Sequence, residues 1–205
     1  MTAETKLSAG GDGIIFAAIT HKKNITVTTG NESVNDLIIS CSTSKEALCR
    51  LYEMFKNNVF AVAYSITADY HLSEDCVAET FVRLTQVKRF SASKGDGKGF
   101  ILTIARNVAL ELRRKYKLDI KDTSDQLIQN YGDSELTVEN SIFINQLLQN
   151  LNDKQRQIVV MKVCAELTFK EIAKIMKSPE TTVKSRYKRA MTILKEKAGV
   201  ENEKV

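Results

Sequence analysis

From Val34 onward the apolar residues of this chain recur at helical rather than strand spacing. In "SKEALCRLYEMFKNNVFAVAYSI", Leu48, Leu51, Tyr52, Phe55, Val59 and Val62 return at the intervals of one helix face, which turns about 100° per residue. "VNDLIISC" just before it has the same cast. In "LSEDCVAETFVRLTQVKRF" (72–90), Val77, Phe81 and Leu84 form the seam, and Ser73 is the expected N-cap ahead of a first turn rich in acids, where negative charge suits the helix dipole. "FILTIARNVALELRRKYK" (100–117) lines Ile101, Ile104, Ala105, Val108 and Leu112 along one side. "SIFINQLLQNL" (141–151) and "NDKQRQIVVMKVCA" (152–165) lead into "LTFKEIAKIM" (167–176), where Thr168 with Glu171 reads as a capping box. In the last helical stretch Val183, Tyr187, Ala190 and Leu194 make the apolar stripe. The chain's single proline, Pro179, is expected at the first helical position with Ser178 as N-cap, because proline lacks the N–H that this position would leave orphaned.

No segment after residue 33 reads as a strand, and no region repeats at a solenoid period. The predicted fold is all-α, with two helical domains. In residues 1–33 "IIFAAIT" and "NITVTT" flank "HKK", a pattern that fits either a hairpin or disorder.

Charge divides the chain. Residues 34–117 hold 13 basic and 9 acidic side chains, residues 118–140 hold 1 and 6, and residues 141–205 hold 13 and 7, within a net charge of +5. Two basic blocks joined by an acidic linker suit two domains that both face a polyanion. The second block ends in two short helices separated by a tight turn. The outer face of the second presents Thr181, Lys184, Ser185, Lys188 and Arg189, with Thr182 beside them and Arg186 on a flank. This is a helix-turn-helix, whose second helix enters the major groove. Helix 100–117 repeats the theme, with Thr103, Arg106, Arg113, Arg114 and Lys117 opposite its apolar side.

Other chemistries lack their parts. The four cysteines form no CxxC pair, and three of them, lying in apolar helical patterns, read as buried thiols of a reducing cytosol. His21 and His71 are too few for a metal set, so neither metal nor cofactor is expected. "SASKGDGKG" (91–99) is glycine-rich but lacks the spacing of a phosphate-binding loop. Asp75 and Glu79, one turn apart, have no nucleophile or cleft beside them and read as an acidic docking surface or as solvated charge. The longest apolar run, "IIFAAI", is too short for a membrane span, and a cytoplasmic location follows.

Over residues 34–198 the chain resembles the extracytoplasmic-function (ECF) group of bacterial sigma factors. "LYEMFKNNVFAVAYSI" resembles the start of sigma region 2, "SEDCVAETFVRL" its acidic core-binding helix, and "GFILTIARNVALELRRK" its −10-engaging helix. "LNDKQRQ…LTFKEIAKIMKSPETTVKSRYKRAMTILK" is similar to region 4 along its whole length. Phe100 stands where the family usually has tryptophan, and Lys177-Ser178 stand where it has glycine and an aliphatic residue. The resemblance implies a domain division of 34–117 (region 2-like), 118–140 (acidic linker) and 141–198 (region 4-like), with an N-terminal extension 1–33 and a tail 199–205. It implies that Asp75 and Glu79 meet the β′ coiled coil of core RNA polymerase, with the β flap and an anti-sigma factor as further partners. Lys94, Lys98, Thr103, Arg106, Asn107, Arg113 and Arg114 would then serve the −10 element. Thr181, Thr182, Lys184, Ser185, Arg186, Lys188 and Arg189 would serve the −35 element. A sigma-like helix-turn-helix regulator that does not act as a polymerase subunit is the alternative. A serine recombinase would need an α/β domain that residues 34–117 do not suggest.

Overall fold

The computed structural model describes residues 33–87, 90, 96–116 and 148–198. Their regular structure is entirely helical: α1 Val34–Ser40, α2 Lys45–Thr67, α3 Tyr70–Thr85, α4 Gly97–Lys115, α5 Asp153–Val163, α6 Phe169–Met176 and α7 Glu180–Lys197. Residues 1–32, the linker and Lys94 lie outside the described residues.

Short polar side chains set where most helices begin. The Ser33 hydroxyl accepts from the Asp36 amide while Asp36 accepts from Ser33, and Asn152 with Gln155 and Thr168 with Glu171 repeat the arrangement for α5 and α6. Each such box satisfies two orphan donors. Helix α3 starts earlier than Ser73 predicts. Ala68 stops α2 in the left-handed region (φ 54), leaving Asp69 extended, and Asp69 accepts from the Leu72 amide at 2.8 Å. Ser73 is instead buried, its hydroxyl donating to the Asp69 carbonyl at 2.5 Å and lying 3.0 Å from the Thr67 hydroxyl.

Helices α2, α3 and α4 bury one seam each into a shared core of Leu51, Val59, Val62, Ile66, Cys76, Leu84, Ile101, Leu102 and Ala105. Each fully buried leucine or isoleucine contributes about 1.5–3 kcal/mol. Helix α4 begins at Gly97, three residues before the predicted start, because α1 lies against its first turn. Asn35 Oδ1 accepts the Gly97 N–H at 2.8 Å, and a Cβ at Gly97 would sit 2.7 Å from both that oxygen and Ile38 Cδ1.

The C-terminal helices are held together by α5. Val159 and Val163 pack on Ala190, Met191 and Leu194 of α7, while Ile158 and Met161 belong to the core that runs on into α2, α3 and α4. With partners on two sides, α5 is buried nearly all round, as such a helix must be. Phe169 of α6 meets Tyr187 of α7 edge to face at 5.3 Å, fixing the angle within the helix-turn-helix. Of the cysteines, Cys41 and Cys76 are buried, Cys164 is half-buried and Cys49 is exposed. Cys49 falls on the outer side of α2.

Candidate nucleic-acid interface

Helix α7 buries Val183, Ala190, Met191 and Leu194 and turns its opposite side outward. Thr181, Lys184, Ser185, Lys188 and Arg189 are exposed on that side, with Thr182 and Arg186 half-buried at its edges. Lys184 is paired with Glu180 one turn back at 2.7 Å, a surface pair that phosphate can displace at little cost. All seven predicted residues therefore border one accessible face.

The entry to that face differs from the expectation. Pro179 (φ −58, ψ 143) is itself the N-cap, with no side-chain cap, and its carbonyl accepts from the Val183 amide at 3.1 Å. Ser178 does not cap α7; its hydroxyl donates to the Met176 carbonyl at 3.3 Å. Lys177 closes α6 in the left-handed region (φ 49, ψ 48). The Ser178 N–H reaches the Ala173 carbonyl at 3.0 Å and the Lys177 N–H that of Lys174 at 3.2 Å. This pair of bonds is a Schellman motif, whose left-handed residue is usually glycine. The turn thus keeps its geometry despite the lysine.

On α4 the predicted −10 residues separate into two groups. Asn107 and Arg114 are exposed along a groove of about 330 Å³ between α3 and α4. Phe100, Ile104 and Leu110 give that groove an apolar lining, and Arg83 stands at its edge. Thr103 is half-buried, its hydroxyl donating to the Gly99 carbonyl at 2.7 Å. Arg106, Arg113 and Lys98 point elsewhere, toward the C-terminal helices. Arg106 Nε donates to Gln157 Oε1 at 3.1 Å, and Arg113 Nη1 pairs with Asp153 Oδ2 at 2.5 Å. Burial lowers the Arg106 pKa from its ordinary value. Burial raises Glu171 of α6, but hydrogen bonds from Thr168 and the charges of Lys98 and Lys174 outweigh it, leaving that carboxyl lowered.

The acidic pair on α3 also separates. Asp75 is exposed and makes no ion pair or hydrogen bond among the described residues. Glu79 holds Arg83 at 2.7 Å, and Arg83 holds Glu111 of α4 at 2.7 Å, so this carboxylate ties α3 to α4. Two turns on from Asp75, Val82 is 49% exposed. Arg83, Asp153 and Gln157 carried no signal in the sequence, since their roles depend on which helices meet.

Comparison with known proteins gives the family of the chain. The Sigma-70 region 2 family matches residues 51–118 and the Sigma-70 region 4 family matches residues 144–194. The ECF RNA polymerase sigma factor SigM of Bacillus subtilis is 31% identical over 149 residues, 71% of this chain and 91% of SigM. The chain belongs to the ECF sigma factors of the sigma-70 family. SigW of the same organism is 25% identical over 74% of this chain and 88% of its own length. Among solved structures, CnrH in complex with the cytosolic domain of CnrY shares the fold at a TM-score of 0.63 and 16% identity, covering 83% of this chain and 100% of that one. RpoE of Bartonella quintana, solved with the anti-sigma factor NepR, aligns at a TM-score of 0.55 and 21% identity over 75% of this chain and 98% of its own. As a family member this sigma factor serves promoter-directed transcription initiation and carries the DNA-binding and polymerase-binding regions of that family. No helix among the described residues is long and apolar enough to cross a membrane.

Proposed function

We propose that this sigma factor binds core RNA polymerase in the cytoplasm, without catalysis of its own, and reads promoters through two separate surfaces. The outward face of α7 supports the −35 role most directly. Its Thr181, Lys184, Ser185, Lys188 and Arg189 stand exposed on a helix anchored by Val183 and Leu194. Thr182 and Arg186 border the groove-facing strip. Bidentate contact of a basic side chain with guanine supplies about 1–3 kcal/mol of discrimination, and the remaining contacts to phosphate position the helix.

The −10 element is read by Lys94, Lys98, Thr103, Arg106, Asn107, Arg113 and Arg114 once the strands separate. An extruded base is captured beside loop 91–99, a step that costs a few kcal/mol of unstacking. Asp75, with Glu79 behind it, meets the basic coiled coil of β′, and the C-terminal domain meets the β flap. The acidic linker threads toward the polymerase channel. An anti-sigma factor is a fitting partner, in keeping with the complex with NepR in which RpoE was solved.

Run-off transcription with core polymerase on genomic DNA tests this reading. Start sites preceded by one shared pair of −35 and −10 sequences are the expected result. DNA binding by the chain without any stimulation of core polymerase would overturn it in favour of a regulator that is not a polymerase subunit.

A further inference from the structure

Arg83 and Glu111 line the groove between α3 and α4 but belong to neither promoter surface described above. Arg83 donates through Nη2 to Glu111 Oε2 and through Nε to Glu79 Oε1, each at 2.7 Å, so two carboxylates hold one guanidinium. The bond to Glu111, and then that to Glu79, raises the Arg83 pKa. In return the hydrogen bond from Arg83, with the charges of Arg83 and Arg114, lowers the pKa of Glu111 against desolvation. Glu111 is therefore a fixed carboxylate, an acceptor with no proton to donate. Its other oxygen, Oε1, makes no hydrogen bond among the described residues, and the side chain is 48% exposed. Helical spacing completes this wall of the groove. Asn107 lies one turn before Glu111 and Arg114 one turn after it, on one strip of α4. The Asn107 amide has no hydrogen bond among the described residues, and Arg114 donates there only through Nε, to the Leu110 carbonyl at 3.1 Å. Toward the start of α4, Phe100 presents a ring backed by Phe90 at 5.1 Å, and an aromatic face stacks any base. The groove of about 330 Å³ thus combines an apolar floor with donors on either side of one fixed acceptor.

We infer that Glu111 is a specificity-determining residue for the −10 element, with Arg83 as its positioning residue, and that it admits to this groove a base carrying an exocyclic amino group. Cytosine N4 and adenine N6 each set a donor beside a ring nitrogen that accepts, the pattern that Glu111 flanked by Asn107 and Arg114 complements. Thymine O4 and guanine O6 set an acceptor in the same place. Facing the carboxylate, such an oxygen is repelled and left unpaired, which costs more than a missing contact. Arg83 aims the carboxylate, because a side chain whose rotamer is locked by a second hydrogen bond discriminates better than a free one. The inference rests on the reading that a −10 base is extruded and captured.

The test assembles the full chain with core polymerase and titrates it with fluorescent single-stranded oligonucleotides bearing the −10 sequence found by run-off transcription. An abasic site placed at each position in turn locates the captured base. At that position the four bases are compared with 2-pyrimidinone and purine, which are cytosine and adenine without their amino groups. Removing the amino group should weaken binding by the parent about tenfold, the strength of one hydrogen bond to a charged group. A preference for cytosine or for adenine supports the inference and tells the two bases apart. Glu111→Ala should abolish the dependence on the amino group. Glu111→Gln, whose amide also donates, should take thymine and cytosine within about twofold of one another. Arg83→Met should shrink the amino dependence at this position alone, whereas a merely structural role would weaken discrimination at every position alike. Preference for thymine or guanine, or an amino dependence that survives Glu111→Ala, overturns the inference while base capture stands. If no abasic site weakens binding, base capture itself has failed and the inference falls with it.

Discussion

Replacing Lys177 by glycine should make this sigma factor more stable, although it removes a side chain and adds none. Lys177 sits at φ 49 and ψ 48, where its Cβ crowds the following carbonyl. A non-glycine residue in this region costs about 1–2 kcal/mol. Glycine loses more conformational freedom on folding, which returns about 0.5–1 kcal/mol of that gain. The Lys177 side chain is exposed and no ion pair involves it among the described residues, so little else is given up. The net expectation is a stabilisation of about 0.5–1 kcal/mol, or a midpoint about 1–4 °C higher for a chain of this size. Urea unfolding followed by far-ultraviolet circular dichroism would show it as a raised midpoint with unchanged slope. Lys177→Val supplies the opposite sign, since a β-branched residue fits the left-handed region worst. Binding to −35 duplex should be the same for Lys177→Gly and the parent, because the two Schellman hydrogen bonds come from the backbone. A glycine variant no more stable than the parent, with valine tolerated equally, would refute this account of the turn.

Gly97→Ala should destabilise by about 1–3 kcal/mol, the range for forcing extra volume into a packed site, since the new methyl would press on Asn35, Ile38 and Val34 of α1; a thermal scan unchanged from the parent would contradict that packing. Asp75→Lys alone should abolish capture of core polymerase in a pull-down while the helical circular dichroism stays intact, a cleaner test than reversing Glu79, whose carboxylate also holds Arg83. Retained capture would remove Asp75 from the docking surface. Arg189→Ala should weaken cognate −35 duplex about tenfold or more, the cost of one lost bidentate base contact, and scrambled duplex only slightly. Equal loss on both sequences, measured at two salt concentrations, would make Arg189 a phosphate contact instead.

The helical periodicity of residues 34–117 and 152–195 was legible without coordinates because each seam needs only a local repeat. Leu51, Phe55, Val59 and Val62 share a face of any helix they form, and α2 buries all four, whereas Leu48 and Tyr52 of the predicted seam are half-buried and exposed. Capping boxes are equally local, and Thr168 with Glu171 opens α6 as the spacing predicts. Starts that depend on a neighbour were not legible in the same way. Ser73 looked like a cap, but the left-handed stop at Ala68 hands that task to Asp69. Helix α4 reaches back to Gly97 because Asn35, distant in sequence, accepts its amide proton. Ser178 spends its hydroxyl on the end of α6, so Pro179 must cap α7 through its backbone alone.

The division of the basic residues is where tertiary structure had the final word. Sequence spacing places Arg106, Asn107, Arg113 and Arg114 together on the polar side of α4, and nothing local distinguishes them. Docking of α5 and α6 does, leaving Asn107 and Arg114 in solvent and giving Gln157 and Asp153 to the two others. Helix periodicity is set within a turn or two of one segment, so the chain alone determines which residues share a face. Which shared face meets solvent depends on the shape and charge of a second segment some forty residues away, and only the packed molecule brings the two together.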